Sequence, residues 1–258
     1  MKIKSCVLIL IPLITSGCAS VRPIKTMGDP QNAYEIGYHP LDPLPVEIMY
    51  KDTFNNDIVL RSLPDETIRL AIGEFNADGG ISFGTSNIGY KGSSYNVTLD
   101  YIKFTTNSIG VKSQDSTFIL NPRNPESIVP VYIGVGLRLT ANITVNKGSV
   151  DLGSLFALGA AASAEKISGT LVLQTLGISG ESISASLPFP SEINSNTILN
   201  AILALGAIKA KIYDDNTTIT PRVIGVYNTL GGGTETINKF ISSLLIQEQI
   251  LDVTRYEY

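Results

Sequence analysis

The chain has 258 residues, with 19 Lys+Arg against 23 Asp+Glu, one His, two Cys and no Trp. Hydrophobic residues make up 43% without any long charge block, which excludes a disordered chain; a formal charge of −4 and no basic run argue against a nucleic-acid partner. Charged residues, at 16%, fall under the roughly 25% usual for soluble domains, so part of the body is expected to face another protein.

The first twenty residues, MKIKSCVLILIPLITSGCAS, open with Lys2 and Lys4 and continue through an apolar stretch, Val7 to Ile14, broken only by Pro12. Small Ser16 and Gly17 then lead into Cys18. This is the layout of a secretory signal, because the apolar stretch is too short to cross a bilayer as a helix of about 20 residues. The ending Thr15-Ser16-Gly17-Cys18 resembles the lipobox of bacterial lipoproteins, with Thr15 standing where that motif has Leu. The resemblance covers these residues alone. It implies removal of residues 1–17, a diacylglycerol on the Cys18 thiol and an acylated new N-terminus. It also implies a place in the bacterial cell envelope. Ala19 and Ser20 lack the Asp that holds such proteins in the inner membrane, which implies outer-membrane anchoring in a two-membrane bacterium. The alternative is an ordinary signal peptide in which Cys18 is incidental.

Cys6 leaves with the signal, so no disulfide forms within the mature chain and its stability must come from packing. Loss of Lys2 and Lys4 leaves 17 basic against 23 acidic side chains, so lipid rather than a polybasic patch provides the anchor. Residues 18–45 read as the lipidated Cys18 followed by a tether, since Pro23, Pro30, Pro40, Pro43 and Pro45 remove backbone donors and bias the chain to extended forms. His39, the single histidine, reads as an ordinary tether or surface residue.

Residues 46–258 read as a β-rich α+β body. Val46–Tyr50, Ile58–Arg61 and Thr67–Ile72 are short β-compatible runs, and Asp78-Gly79-Gly80 before Ile81 and Phe83 suggests a hairpin. Tyr95, Val97, Leu99 and Tyr101 alternate with polar residues, and Asn107-Ser108 separates them from Ile109 and Val111. Asn121-Pro122-Arg123-Asn124-Pro125 offers an internal boundary near residues 121–128, or a long loop. From Val129 to Val145 every odd position is apolar, which predicts one long strand of roughly 55 Å, split or curled at Gly134 or Gly136. A helix is expected within Asp151–Glu165, capped by Asp151, then strands at Ile167–Leu176 and Ile183–Leu187. A second helix, capped by Asn194 or Ser195, is expected to end at Gly206, with Ala207–Tyr213 a strand carrying Lys209 and Lys211 outward. Thr217–Thr229, kinked near Pro221, would pair with it as a hairpin. Thr234 caps an amphipathic helix through Ile237, Phe240, Ile241, Leu244 and Leu245, and Leu251–Tyr258 would close the fold as a strand. The expected architecture is an antiparallel or mixed β-sheet with two or three packed helices.

Catalytic kits lack parts. His39 is the single histidine, no Gly-x-Ser-x-Gly occurs, and the mature chain has no free thiol, so triad, thiol and His/Cys zinc chemistry are not supported. No cofactor motif is present. Gly231-Gly232-Gly233 before a helix lacks the Gly-Lys-Ser/Thr of a phosphate loop. Asn96-Val97-Thr98 and Asn142-Ile143-Thr144 match glycosylation acceptors, which carry little weight in a bacterial lipoprotein. These readings converge on a non-catalytic envelope lipoprotein, a structural or assembly partner of other envelope proteins or of itself. Two alternatives stay open: an oligomeric outer-membrane pore using strand 129–145, and a carboxylate-dependent enzyme acting on envelope glycans.

Overall fold

Residues 37–46, 55–77, 80–84, 88–115 and 117–247 are described in the computed structural model. In chain order the elements are β1 (Gly37–Pro45), α1 (Asn56–Arg61), β2 (Asp65–Phe75), β3 (Ile81–Phe83), β4 (Ile88–Tyr90), β5 (Ser94–Gln114), β6 (Thr117–Leu120) and β7 (Ser127–Val145). There follow β8 (Ser149–Asp151), α2 (Leu155–Ser163), β9 (Ile167–Leu176), β10 (Ile178–Ser179), α3 (Glu181–Ser184) and β11 (Ser191–Glu192). The last four are α4 (Ser195–Lys211), β12 (Thr218–Ile219), β13 (Arg222–Asn228) and α5 (Gly233–Ile246). The fold is α+β, and every strand pairing among the described residues is antiparallel.

The alternation along Val129–Val145 is the origin of this architecture. β5 and β7 pair from Ser94↔Thr144 to Val111↔Ser127 as one long ribbon inside a nine-stranded sheet. Each strand takes two partners along its outer edge. β7 meets β13 at Val131–Gly134 and β9 at Gly136–Val145, while β5 meets β2 at Tyr95–Glu74 through Phe104–Asp65 and β6 at Val111–Gln114. The sheet therefore forks near Gly134 and Gly136. A Cβ at Gly134 would strike the Lys103 carbonyl oxygen of β5, and one at Gly136 the Tyr101 carbonyl oxygen. Glycine is what allows the ribbon to curl there.

The odd-numbered residues of β7 enter the main core, with Ile133, Leu137 and Leu139 fully buried, each contributing about 1.5–3 kcal/mol. α2 and α4 pack against this side, on β9 and β7. From Val131 to Leu139 both faces of β7 are buried. Among the described residues no helix is long and apolar enough to cross a membrane.

Several expectations are corrected. Residues 37–45 are not tether: they form β1, paired with β13 at the end of the sheet path, and an edge strand is where prolines are tolerated because their missing N–H leaves no central ladder gap. No boundary falls at residues 121–128, since β5 pairs with both β6 and β7 across them. Asn107 and Ser108 do not interrupt β5. Ile58–Arg61 and Ile183–Ser184 are helical, in α1 and α3; the Asn55 side chain caps α1 by accepting from the Ile58 N–H.

Ala207–Lys211 continues α4 instead of forming a strand. Ile198, Ala201 and Ile208 are its buried residues at helical spacing, and the Asn194–Thr197 capping box fixes the start. β13 accordingly has no hairpin partner there, and the short β12 pairs with β10. Ser154, not Asp151, caps α2, and Gly232, not Thr234, precedes α5. The body carries five helices among the described residues instead of two or three. Cys18, the remainder of the tether and the expected strand at 251–258 lie outside the described residues.

Candidate functional site

The even-numbered face of the ribbon carries the polar residues. Register places Asp100 opposite Arg138, Thr98 opposite Thr140 and Asn96 opposite Asn142. β9 extends these rows with Gln174 beside Arg138 and Val172 beside Thr140. Toward the fork the same face turns apolar, where Ile102, Phe104, Tyr132, Leu176 and Ile224 cluster over the two glycines.

Arg138 is the centre of the polar stretch. Its Nε and Nη2 donate to the two Asp100 carboxylate oxygens at 2.7 and 2.6 Å, a bidentate pair that is almost wholly buried. Nη1 donates to the Leu41 carbonyl at 2.7 Å and Nη2 also to the Ile224 carbonyl at 3.0 Å. Both carbonyls belong to bulges, because β1 and β13 lose register between Pro40 and Leu44, and β13 and β7 between Val223 and Gly225. The guanidinium thus takes up acceptors that the ladder releases, and binds β1 and β13 to the ribbon. Tyr38 Oη donates to Asp100 Oδ2 at 2.5 Å. Burial, with the Asp100 charge beside it, holds the Tyr38 hydroxyl well above its usual pKa. Burial opposes the Arg138 charge, but hydrogen bonding and attraction to Asp100 outweigh it and raise its pKa.

Beside this clamp lies a cleft of about 570 Å³. Its floor is formed by Asn96, Thr98, Thr140 and Asn142, its walls by β1, Phe83 of β3, and Thr234 and Asn238 of α5. Asn96 Nδ2 donates to Asn142 Oδ1 at 2.8 Å and Thr98 Oγ1 to Asn96 Oδ1 at 2.7 Å, so the floor is held in fixed orientation. The two asparagines of the glycosylation-like triplets are therefore paired across strands. Among the described residues lining the cleft, Asp42 is the one carboxylate, and it is exposed.

His39 lines the cleft and is 6% exposed, contrary to its expected place on a tether or surface. Its ring meets Phe83 edge-on at 4.8 Å. Burial pushes its pKa down from 6.5 to about 4, so the imidazole is neutral at neutral pH. The unfolded chain binds the proton more readily than the folded one. Folding stability is therefore full above the unfolded value and falls as pH drops from about 6.5 to about 4, by up to about 3 kcal/mol. Urea unfolding across that window will show this loss, and His39→Phe will flatten it; an unchanged slope in the variant would remove His39 as the cause.

The other singled-out residues lie elsewhere. Lys209 of α4 pairs with Glu66 at 2.6 Å and sits 4.5 Å from the Tyr101 ring centroid. Hydrogen bonding to Lys209 lowers the pKa of Glu66. Lys211 donates to the Ser182 carbonyl and to Ser186 Oγ, tying α4 to α3. Gly231, Gly232 and Gly233 all have positive φ and serve the entry into α5. A second depression of about 510 Å³ lies between the far end of the ribbon and α5, lined among others by Asp115, Glu126 and Lys239. Among the described residues no group of three or more His, Cys, Asp or Glu side chains is placed to hold a metal ion. No known protein family, curated protein or solved structure matches the chain.

Sequence reasoning missed the cleft because it drew on the apolar odd positions of residues 129–145 and left the even ones without a role. The detectable signal was that a second strand, residues 96–100, offers a matching Asn-x-Thr-x-Asp series.

Proposed function

We propose that the protein is a non-catalytic lipoprotein of the bacterial envelope, anchored in the outer membrane through acylated Cys18. It acts by contact, as a structural or assembly partner of other envelope proteins or of itself. The observation that carries this reading is the second apolar side of α4. Leu199 and Leu203, one turn apart, are 48% and 63% exposed, with exposed Ala207 and Ala210 continuing along the helix. Phe156 on α2, the helix packed against α4, is 69% exposed. Buried Ile198, Ala201 and Ile208 already satisfy the core, so these residues do not serve folding of the single chain.

Two measurements test the proposal. Metabolic labelling with an alkyne fatty acid should mark the wild-type chain and leave Cys18→Ser unmarked; equal labelling of both defeats the anchor. A photo-cross-linker at Leu203 in intact cells should give a discrete adduct with a neighbour or a second copy. Leu199→Glu should abolish that adduct while changing stability by no more than about 0.5 kcal/mol, as for other surface positions. Failure of the cross-linker to give any discrete adduct defeats the contact reading.

A further inference from the structure

We propose that the cleft beside Arg138 binds a neutral, hydroxyl-rich ligand of mono- to disaccharide size. This does not depend on the lipid anchor or on the α4 surface. The buried members of the lining, Asn96 and Thr98, make their side-chain hydrogen bonds within the floor, as buried polar groups require. The half-buried and exposed members keep bonding capacity that a ligand can take over from water. Asn142 gives its Oδ1 to Asn96, which leaves its amide hydrogens for another partner, and Thr140, Gln174 and Asn238 make no side-chain hydrogen bond among the described residues. These groups come from both sides of the cleft, the sheet and α5, so a molecule between them is met by donors and acceptors on two faces.

The electrostatics select the ligand class. The Arg138 charge is cancelled by Asp100 and its N–H groups are turned to Asp100, Leu41 and Ile224, so it offers no open fork to a phosphate or carboxylate. The His39 ring is buried and packed edge-on against Phe83, and the exposed Asp42 would repel an anion. Apart from Asp42 at the exposed side and the internally neutralised Arg138, the lining is one of amides and hydroxyls with an aromatic wall at Phe83, suited to a molecule with many hydroxyls and an apolar ring face. The volume of about 570 Å³ falls in the usual range for small-ligand sites.

The test is saturation-transfer NMR on the full chain in detergent, with cellobiose, N,N′-diacetylchitobiose and glucose 6-phosphate as probes. Transfer is expected to at least one neutral disaccharide and to be weaker for glucose 6-phosphate. The paired change Thr140→Val with Gln174→Met, at half-exposed positions, should weaken affinity about tenfold by removing hydrogen bonds. Asn238→Ala, at an exposed position of α5, weakens it from the opposite wall and serves equally if the sheet variant does not fold. No transfer to either neutral disaccharide overturns the proposal. So does undiminished binding in a folded variant, or stronger transfer to the phosphate.

Discussion

Replacing Arg138 with Met is expected to lower folding stability by about 3–5 kcal/mol, the largest loss for any side chain outside the apolar core. The change leaves the Asp100 carboxylate buried with Tyr38 as its remaining hydrogen-bond donor, and releases the Leu41 and Ile224 carbonyls at two bulges. Removing a buried charge's partner is costly because the remaining charge stays desolvated, whereas removing both charges is not. Asp100→Leu combined with Arg138→Met should therefore recover part of the loss, giving a coupling of at least about 1 kcal/mol in a double-mutant cycle of urea unfolding. Additive losses would show that the carbonyls, and not the ion pair, set the cost.

Gly136→Val is expected to give no folded protein, and Gly134→Ala to lose more than about 4 kcal/mol, because each new Cβ meets a β5 carbonyl oxygen instead of a side chain that can turn away. Backbone cannot yield without opening the ribbon at its fork. The contrast is Gly206, in the middle of α4 with nothing within 4 Å of its would-be Cβ. Gly206→Ala should stabilise by about 0.5–1 kcal/mol. Thermal unfolding of the three variants beside the wild type checks both signs; equal effects at positions 134 and 206 would show that the fork does not depend on close approach.

What was legible in the sequence followed from uninterrupted periodicity. Val129–Val145 kept one phase over its whole length and became β7; Ile167–Leu176 became β9; Ile237, Phe240 and Leu244 became the buried side of α5. The errors arose where local pattern and tertiary context disagree. Ile208, Ala210 and Ile212 alternate with Lys209, Lys211 and Tyr213, yet the helix capped by Asn194 runs on through Gly206, and Ile208 falls on the same buried stripe as Ile198 and Ala201. Residues 37–45 have three prolines and little alternation, so nothing local marked them as a strand. Their partner lies at Arg222–Asn228 and their carbonyl at Leu41 is taken by Arg138, both far away in sequence. The cleft was hidden for the same reason: its residues acquire meaning only when Asn96 and Asn142 are brought side by side.

The pairing of β1 with β13 sets Gly37 against Asn228 and Pro45 against Arg222. A chain that emerges amino terminus first from a ribosome must hold the earliest of the described strands idle until the last of them arrives. Such distant closure slows maturation and leaves an unpaired edge open to wrong neighbours in the interval. A holdase chaperone or quick arrival of the carboxyl-terminal segment would relieve that exposure, and truncation before Arg222 would make it permanent.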